Sequence, residues 1–152
     1  MIEQWVTAFI ASAAFGIIFN VPSRTLWQCG IVGAIGWIFY FTLVQYEFDQ
    51  VFATFFASVI VAFISHIFAK MYKTPMIIYS VAGIIPLVPG GLAYNAMRHI
   101  VLHDYTKAIE FASVAFMISG AIAMGLVFSE VLNQVFVKKE RSMRHTKMGN
   151  PS

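Results

Sequence analysis

Apolar residues in this chain come in long uncharged runs. Cutting the sequence at its charged residues leaves five of them, Gln4 to Ser23, Thr25 to Tyr46, Gln50 to Ala69, Thr74 to Met97 and Phe111 to Ser129, the last continuing in apolar character past Glu130 to Val137. A helix rises about 1.5 Å per residue and the hydrocarbon core of a bilayer is about 30 Å thick, so roughly 20 apolar residues make one crossing. In lipid only helices and closed barrels satisfy their own backbone, and these runs lack the alternation of a barrel strand. The pattern predicts an all-α fold, a polytopic membrane helix bundle of five transmembrane helices over residues 1–137. The spans fall at about 4–23, 25–46, 50–69, 74–97 and 111–137, followed by a basic tail over 138–152. Between the fourth and fifth, the stretch 98–110 mixes His99, His103, Asp104 and Lys107 with apolar residues, which predicts a short amphipathic surface segment.

Composition agrees with lipid as the solvent. Of 152 residues, 59% are hydrophobic and 11% charged, and the mean hydropathy is +0.76, far outside the range of soluble domains. The excess of ten lysines and arginines over seven acids does not point to nucleic acid, because the bases flank apolar runs and form no binding face. They do set an orientation, since basic residues gather in cytoplasmic loops. With five spans, one side holds Arg24, Lys70, Lys73, Lys138, Lys139, Arg141, Arg144 and Lys147, and the other only Arg98 and Lys107. The N-terminus is then outside and the C-terminus in the cytoplasm. The start Met1-Ile2-Glu3 has no basic region, so the first run is expected to remain as a span rather than be cleaved as a signal peptide. Cys29 is the single cysteine, which excludes an intrachain disulfide and a cysteine-based metal site. The tail after Val137 is too short and too polar for a soluble domain, so activity is expected within the membrane or with a partner.

The fourth run carries Ile85-Pro86-Leu87-Val88-Pro89-Gly90-Gly91 near its middle, hence near the expected bilayer midplane. Pro86 and Pro89 each remove a backbone donor and clash with the preceding turn, while the glycines widen the accessible backbone. A helix broken at that depth survives where it is buried in protein or lines a cavity. In transporters, half-helix N-termini at such breaks present amides and a positive dipole end to anionic cargo. Gly90 and Gly91 are the expected amide donors to a carboxylate, with Tyr94 and Asn95 one turn on as side-chain partners; the plainer alternative is a packing kink.

Other residues are weighed against plain structural roles. Arg24, in the turn Phe19-Asn20-Val21-Pro22-Ser23-Arg24, could meet a substrate carboxylate at the inner mouth, although an interfacial anchor is the simpler explanation. Gly30, Gly33 and Gly36, and Ala8, Ser12 and Gly16 at four-residue spacing, suit close helix packing. Gln28 is expected to bond between helices. His66 and Glu130 are the ionisable groups placed to couple proton movement, against which stand an interfacial role for His66 and pairing of Glu130 with Lys138. Phosphate loops, HExxH, GxSxG and CxxC are absent from the sequence, and no serine motif accompanies the histidines, so no catalytic residues, metal site or cofactor are expected.

The pattern Phe19-Asn20-Val21-Pro22-x-Arg24 with Cys29, Gly33 and Gly36, together with Ile85-Pro86-x-x-Pro89-Gly90-x-x-Ala93-Tyr94-x-Ala96-Met97, resembles the threonine/serine exporter family. It is most similar to the stand-alone small-subunit type that is paired in enteric bacteria with a larger subunit for succinate export. The resemblance spans essentially the whole chain. It implies half of a secondary exporter in the bacterial inner membrane, whose larger partner supplies a second membrane half and a soluble N-terminal region. An odd number of spans per half implies that the halves are inverted relative to each other. The expected cargo is a small carboxylate, succinate first. Threonine or serine is the alternative cargo, and a non-transporting membrane assembly protein the alternative of another class; homo-oligomerisation is left open.

Overall fold

The computed structural model describes the backbone of residues 2–148 and the side chains of residues 3–135. Among these it is all-helical: α1 (Ile2–Ile18), α2 (Leu26–Gln45), α3 (Gln50–Tyr72), α4 (Met76–Ile84), α5 (Gly90–Val101) and α6 (Tyr105–Met148), with 3-10 turns at Ser23–Thr25 and Ile85–Leu87. Three helices are long and apolar enough to cross a membrane, namely α2 with its preceding turn, α3 and α6, and the α4–α5 pair is a fourth if it counts as one bent span. The 17 residues of α1 are fewer than a full span by the same measure. Five full spans are therefore an expectation met in its coarser form, a membrane bundle of three to four clear crossings with a shorter apolar helix beside them.

Each hairpin turn is built the same way, without glycine. Asn20, Glu47, Lys73 and His103 take left-handed backbone angles, φ 53 to 61°, and the amide after each reaches back five residues, Val21 to Gly16, Phe48 to Leu43, Thr74 to Ala69 and Asp104 to His99, at 2.9 to 3.2 Å. These bonds satisfy carbonyls that a helix C-terminus leaves bare. The turns also account for shifted boundaries. The first helix stops at Ile18 rather than at Ser23 because Asn20 reverses the chain and Pro22 follows it. The last begins at Tyr105 rather than at Phe111 because Asp104 accepts from the Lys107 amide at 3.3 Å and caps it. The stretch 98–110 is thus no separate surface segment. It is the end of α5, with Arg98 and His99 on its last turn, a turn at His103 and Asp104, and the start of α6, with Lys107 and Glu110 on its first turns. That helix runs on to Met148, so the basic residues after Val137 extend it.

The central helix is α3, packed against α2, α4 and α6. Its inner face is a stripe of Ala53, Thr54, Ala57, Ser58, Val61, Ala62 and Ser65, small residues at helical spacing that let neighbours approach. Thr54, Ser58 and Ser65 return their hydroxyls to carbonyls of their own helix at 2.7 Å, so burial leaves no donor wanting. Val61, the middle residue of α3, lies against the positions of Gly36 and Gly83, and Val32, Ala57, Ile84, Leu87, Ile118 and Ile122 close the core around it. On α1, Ala8, Ser12 and Gly16 are all buried, and Ser12 Oγ fills the space where Gly33 of α2 has no side chain.

Candidate functional site

The break is real. Met76–Leu87 and Gly90–Val101 meet at 50°. Gly83 packs on Val61, the middle residue of α3, which puts Pro86 to Pro89 toward the end where α2 finishes and α3 begins. Pro86, lacking an amide, tightens the last turn of the first half into a 3-10 turn, in which Val88 N–H donates to Ile85 O at 3.2 Å.

The amides at the new helix start divide unevenly. Gly90 N–H donates to Val88 O at 2.8 Å and Ala93 N–H to Pro89 O at 3.1 Å, leaving Gly91 and Leu92 with bare amides at the N-terminus of α5. The expected pair Gly90 and Gly91 is thus corrected to Gly91 and Leu92, since the turn at Val88 consumes the first donor. Gly91 and Leu92 line a cavity of about 280 Å³ closed by Pro86, Leu87, Val88 and Pro89 of the break, Trp37 and Tyr40 of α2, Gln50 and Thr54 of α3, and Ile118 of α6. A side-chain carbon added at Gly90 or Gly91 would meet nothing within 4 Å, so packing does not demand glycine there. The lining includes a phenol, a carboxamide, an indole and a hydroxyl that already donates to Gln50 O, and no acid.

Tyr94 and Asn95 follow on α5 but do not line this cavity, and Tyr94 is exposed. Arg24 is exposed in the α1–α2 turn, at the opposite end of α2 from Trp37 and Tyr40. Gln28, with its amide nitrogen turned toward them, donates to the carbonyls of Arg24 at 2.9 Å and Thr25 at 3.1 Å. It thus closes its own helix's first turn instead of bonding between helices.

The two ionisable residues singled out from sequence come together, although 64 positions of chain separate them. His66 Nε2 lies 3.1 Å from Glu130 Oε2, Asn133 Nδ2 lies 3.0 Å from His66 Nδ1, and Gln134 Nε2 donates to Glu130 Oε1 at 3.1 Å. Parallel packing of α3 and α6 makes this meeting, with Ser58 beside Gly125 two turns earlier. Pairing of Glu130 with Lys138 falls outside the residues whose side chains are described. Asn133 escaped the sequence reading, although its spacing of three from Glu130 puts both on one helix face; Gln50 and Thr54, four apart at the start of α3, carried the same kind of signal. Among the described residues, no group of three or more His, Cys, Asp or Glu side chains is placed to hold a metal.

An all-helical bundle with three or four helices long and apolar enough to cross a membrane, one of them broken, defines an integral membrane protein. The chain belongs to the threonine/serine exporter family: the family described as Threonine/Serine exporter, ThrE, matches residues 4–132. It is also 33% identical over 141 residues to an uncharacterized protein of Haemophilus influenzae, a match that covers 87% of this chain and 47% of that protein. The chain therefore spans about half the length of this relative. No solved structure matches it.

Proposed function

We propose that this protein is the small membrane subunit of a two-component secondary exporter of small carboxylates, succinate first, and that cargo binds in the cavity at the break. The observation that carries the reading is that Gly91 and Leu92, whose amides have no backbone partner, line a cavity with no acid in its wall. A carboxylate satisfies both amides and the dipole, whereas an amino acid needs an additional group for its ammonium. The family's description names threonine and serine, so these remain the second reading, with the acid then supplied by the partner chain.

The partner is a larger subunit carrying the other membrane half, a proposal supported by a relative about twice as long as the matched region. The distribution of basic residues supports insertion in the bacterial inner membrane with the N-terminus periplasmic and the C-terminus cytoplasmic. In this arrangement α1 is a fifth, short span whose ends rely on local thinning of the bilayer or on the partner. Export of succinate and threonine from cells lacking this chain, the proposed partner or both is the test. Succinate efflux that falls with either deletion is expected, threonine efflux that falls instead selects the second reading, and efflux of neither changing leaves a membrane assembly role.

A further inference from the structure

We propose that His66, Glu130 and Asn133 form a single proton-carrying unit between α3 and α6, which couples transport to the proton gradient; this deepens the exporter reading and rests on it. His66 lies six residues before the end of α3, about 9 Å at the rise of a helix, within a helix long and apolar enough to cross a membrane. An ionised side chain there is expensive unless its charge is matched. The His66 side chain is 13% exposed and that of Glu130 45%, so the imidazole is held within the bundle while the carboxylate reaches outward.

The partners couple amide orientation to protonation. With Asn133 Nδ2 donating across 3.0 Å, His66 Nδ1 accepts and the imidazole hydrogen is on Nε2, the nitrogen that lies 3.1 Å from Glu130 Oε2. Rotating the Asn133 amide by half a turn presents its oxygen instead and serves an imidazolium, so one residue accommodates both states. Imidazole with carboxylic acid, or imidazolium with carboxylate, is neutral overall; a further proton makes the unit +1 and loss of one makes it −1. Only N–H and O–H bonds form or break when water on one side supplies the proton and water on the other receives it. His66 Nε2 is buried and, despite the 3.1 Å approach, lacks an aligned hydrogen bond, so a small rotation of the carboxylate completes or releases the contact.

A cavity of about 340 Å³ lined by Phe63, His66, Ile67, Lys70, Leu132 and Asn133 adjoins the pair, with room for several waters at about 30 Å³ each. Lys70, one turn on, extends it toward the helix end. Among the described residues the other titratable groups on neighbouring helices are engaged or distant. On α4, Tyr79 is held by Thr74 at 2.9 Å. On α2, Cys29 donates to Ile78 O at 3.7 Å, and Tyr40 lines the cavity at the break. On α6, Tyr105, Lys107 and Glu110 belong to the first turns, far from Glu130.

The test uses inside-out vesicles from cells carrying the chain with its native neighbours, and labelled succinate and threonine as probes. We expect Glu130→Gln and His66→Gln to lower pH-gradient-driven uptake by about tenfold or more while exchange without a gradient stays within about twofold, and Glu130→Asp to retain coupling. Gradient-driven uptake at the wild-type level in both glutamine variants, or exchange lost together with it, overturns the proposal. Wild-type vesicles that move neither cargo, with or without a gradient, overturn the exporter reading and the proton coupling that rests on it.

Discussion

Glycine does opposite jobs in two places. At Gly33 any side chain would collide with Ser12 Oγ, whereas at Gly91 a side-chain carbon meets nothing within 4 Å. Gly33→Leu is therefore expected to destabilise the bundle by about 1 to 3 kcal/mol through overpacking, read as a lower unfolding temperature in detergent. Gly91→Leu should unfold like the wild type and fill the cavity at the break. Spacing alone identified the packing glycines, because small residues at helical intervals imply close approach. It could not say which amide at the break is free, since that depends on the turn in which Val88 accepts from Gly90. Outside the membrane, the Lys107 amide, with the Lys107 ammonium adding to it, holds the Asp104 carboxyl below its ordinary value. A carboxylate with a depressed folded-state value contributes fully at neutral pH and loses that contribution as pH falls through this value. Asp104→Asn should accordingly be less stable than wild type at pH 7, with the difference vanishing as pH falls through the lowered carboxyl value; a difference independent of pH contradicts the capping role.

The turns set the boundaries of the elements. Uncharged runs located the helices, and Pro86 and Pro89 marked the fourth run as broken, but the fifth was begun at Phe111 because charge was taken as the edge of the membrane. The structure ends its helices instead with left-handed residues, three of which, Glu47, Lys73 and His103, are not the usual choice for that backbone. Nothing in residue type alone announces them. A β-branched residue at Glu47 is strained in this conformation, so Glu47→Val should cost about 1 to 2 kcal/mol while Glu47→Gly is tolerated, both measured by thermal unfolding. The break itself was legible from Pro86 and Pro89. Which part of the bundle it meets was not, because that is set by the packing of Gly83 on Val61, a contact between separate helices.

For the whole molecule, the meeting of His66 with Glu130 shows what sequence leaves open. Each was visible as an ionisable group in an apolar run, but only the parallel packing of α3 on α6 joins them. The bundle buries its two polar features toward opposite ends of α3, the cavity at the break beside Gln50 and the His66 pair near Tyr72. That separation suits a carrier whose cargo site and proton site are linked through one rigid helix. It also makes orientation testable: a reporter fused after the last residue should be active only in the cytoplasm, and a periplasmic signal would reverse the proposed topology. The most direct measurement is succinate efflux from cells that lack the chromosomal copy of this chain and are complemented with wild type or Gly91→Leu at matched membrane levels. Efflux restored by wild type and abolished in the variant is predicted; efflux restored equally by both would contradict cargo binding at the break.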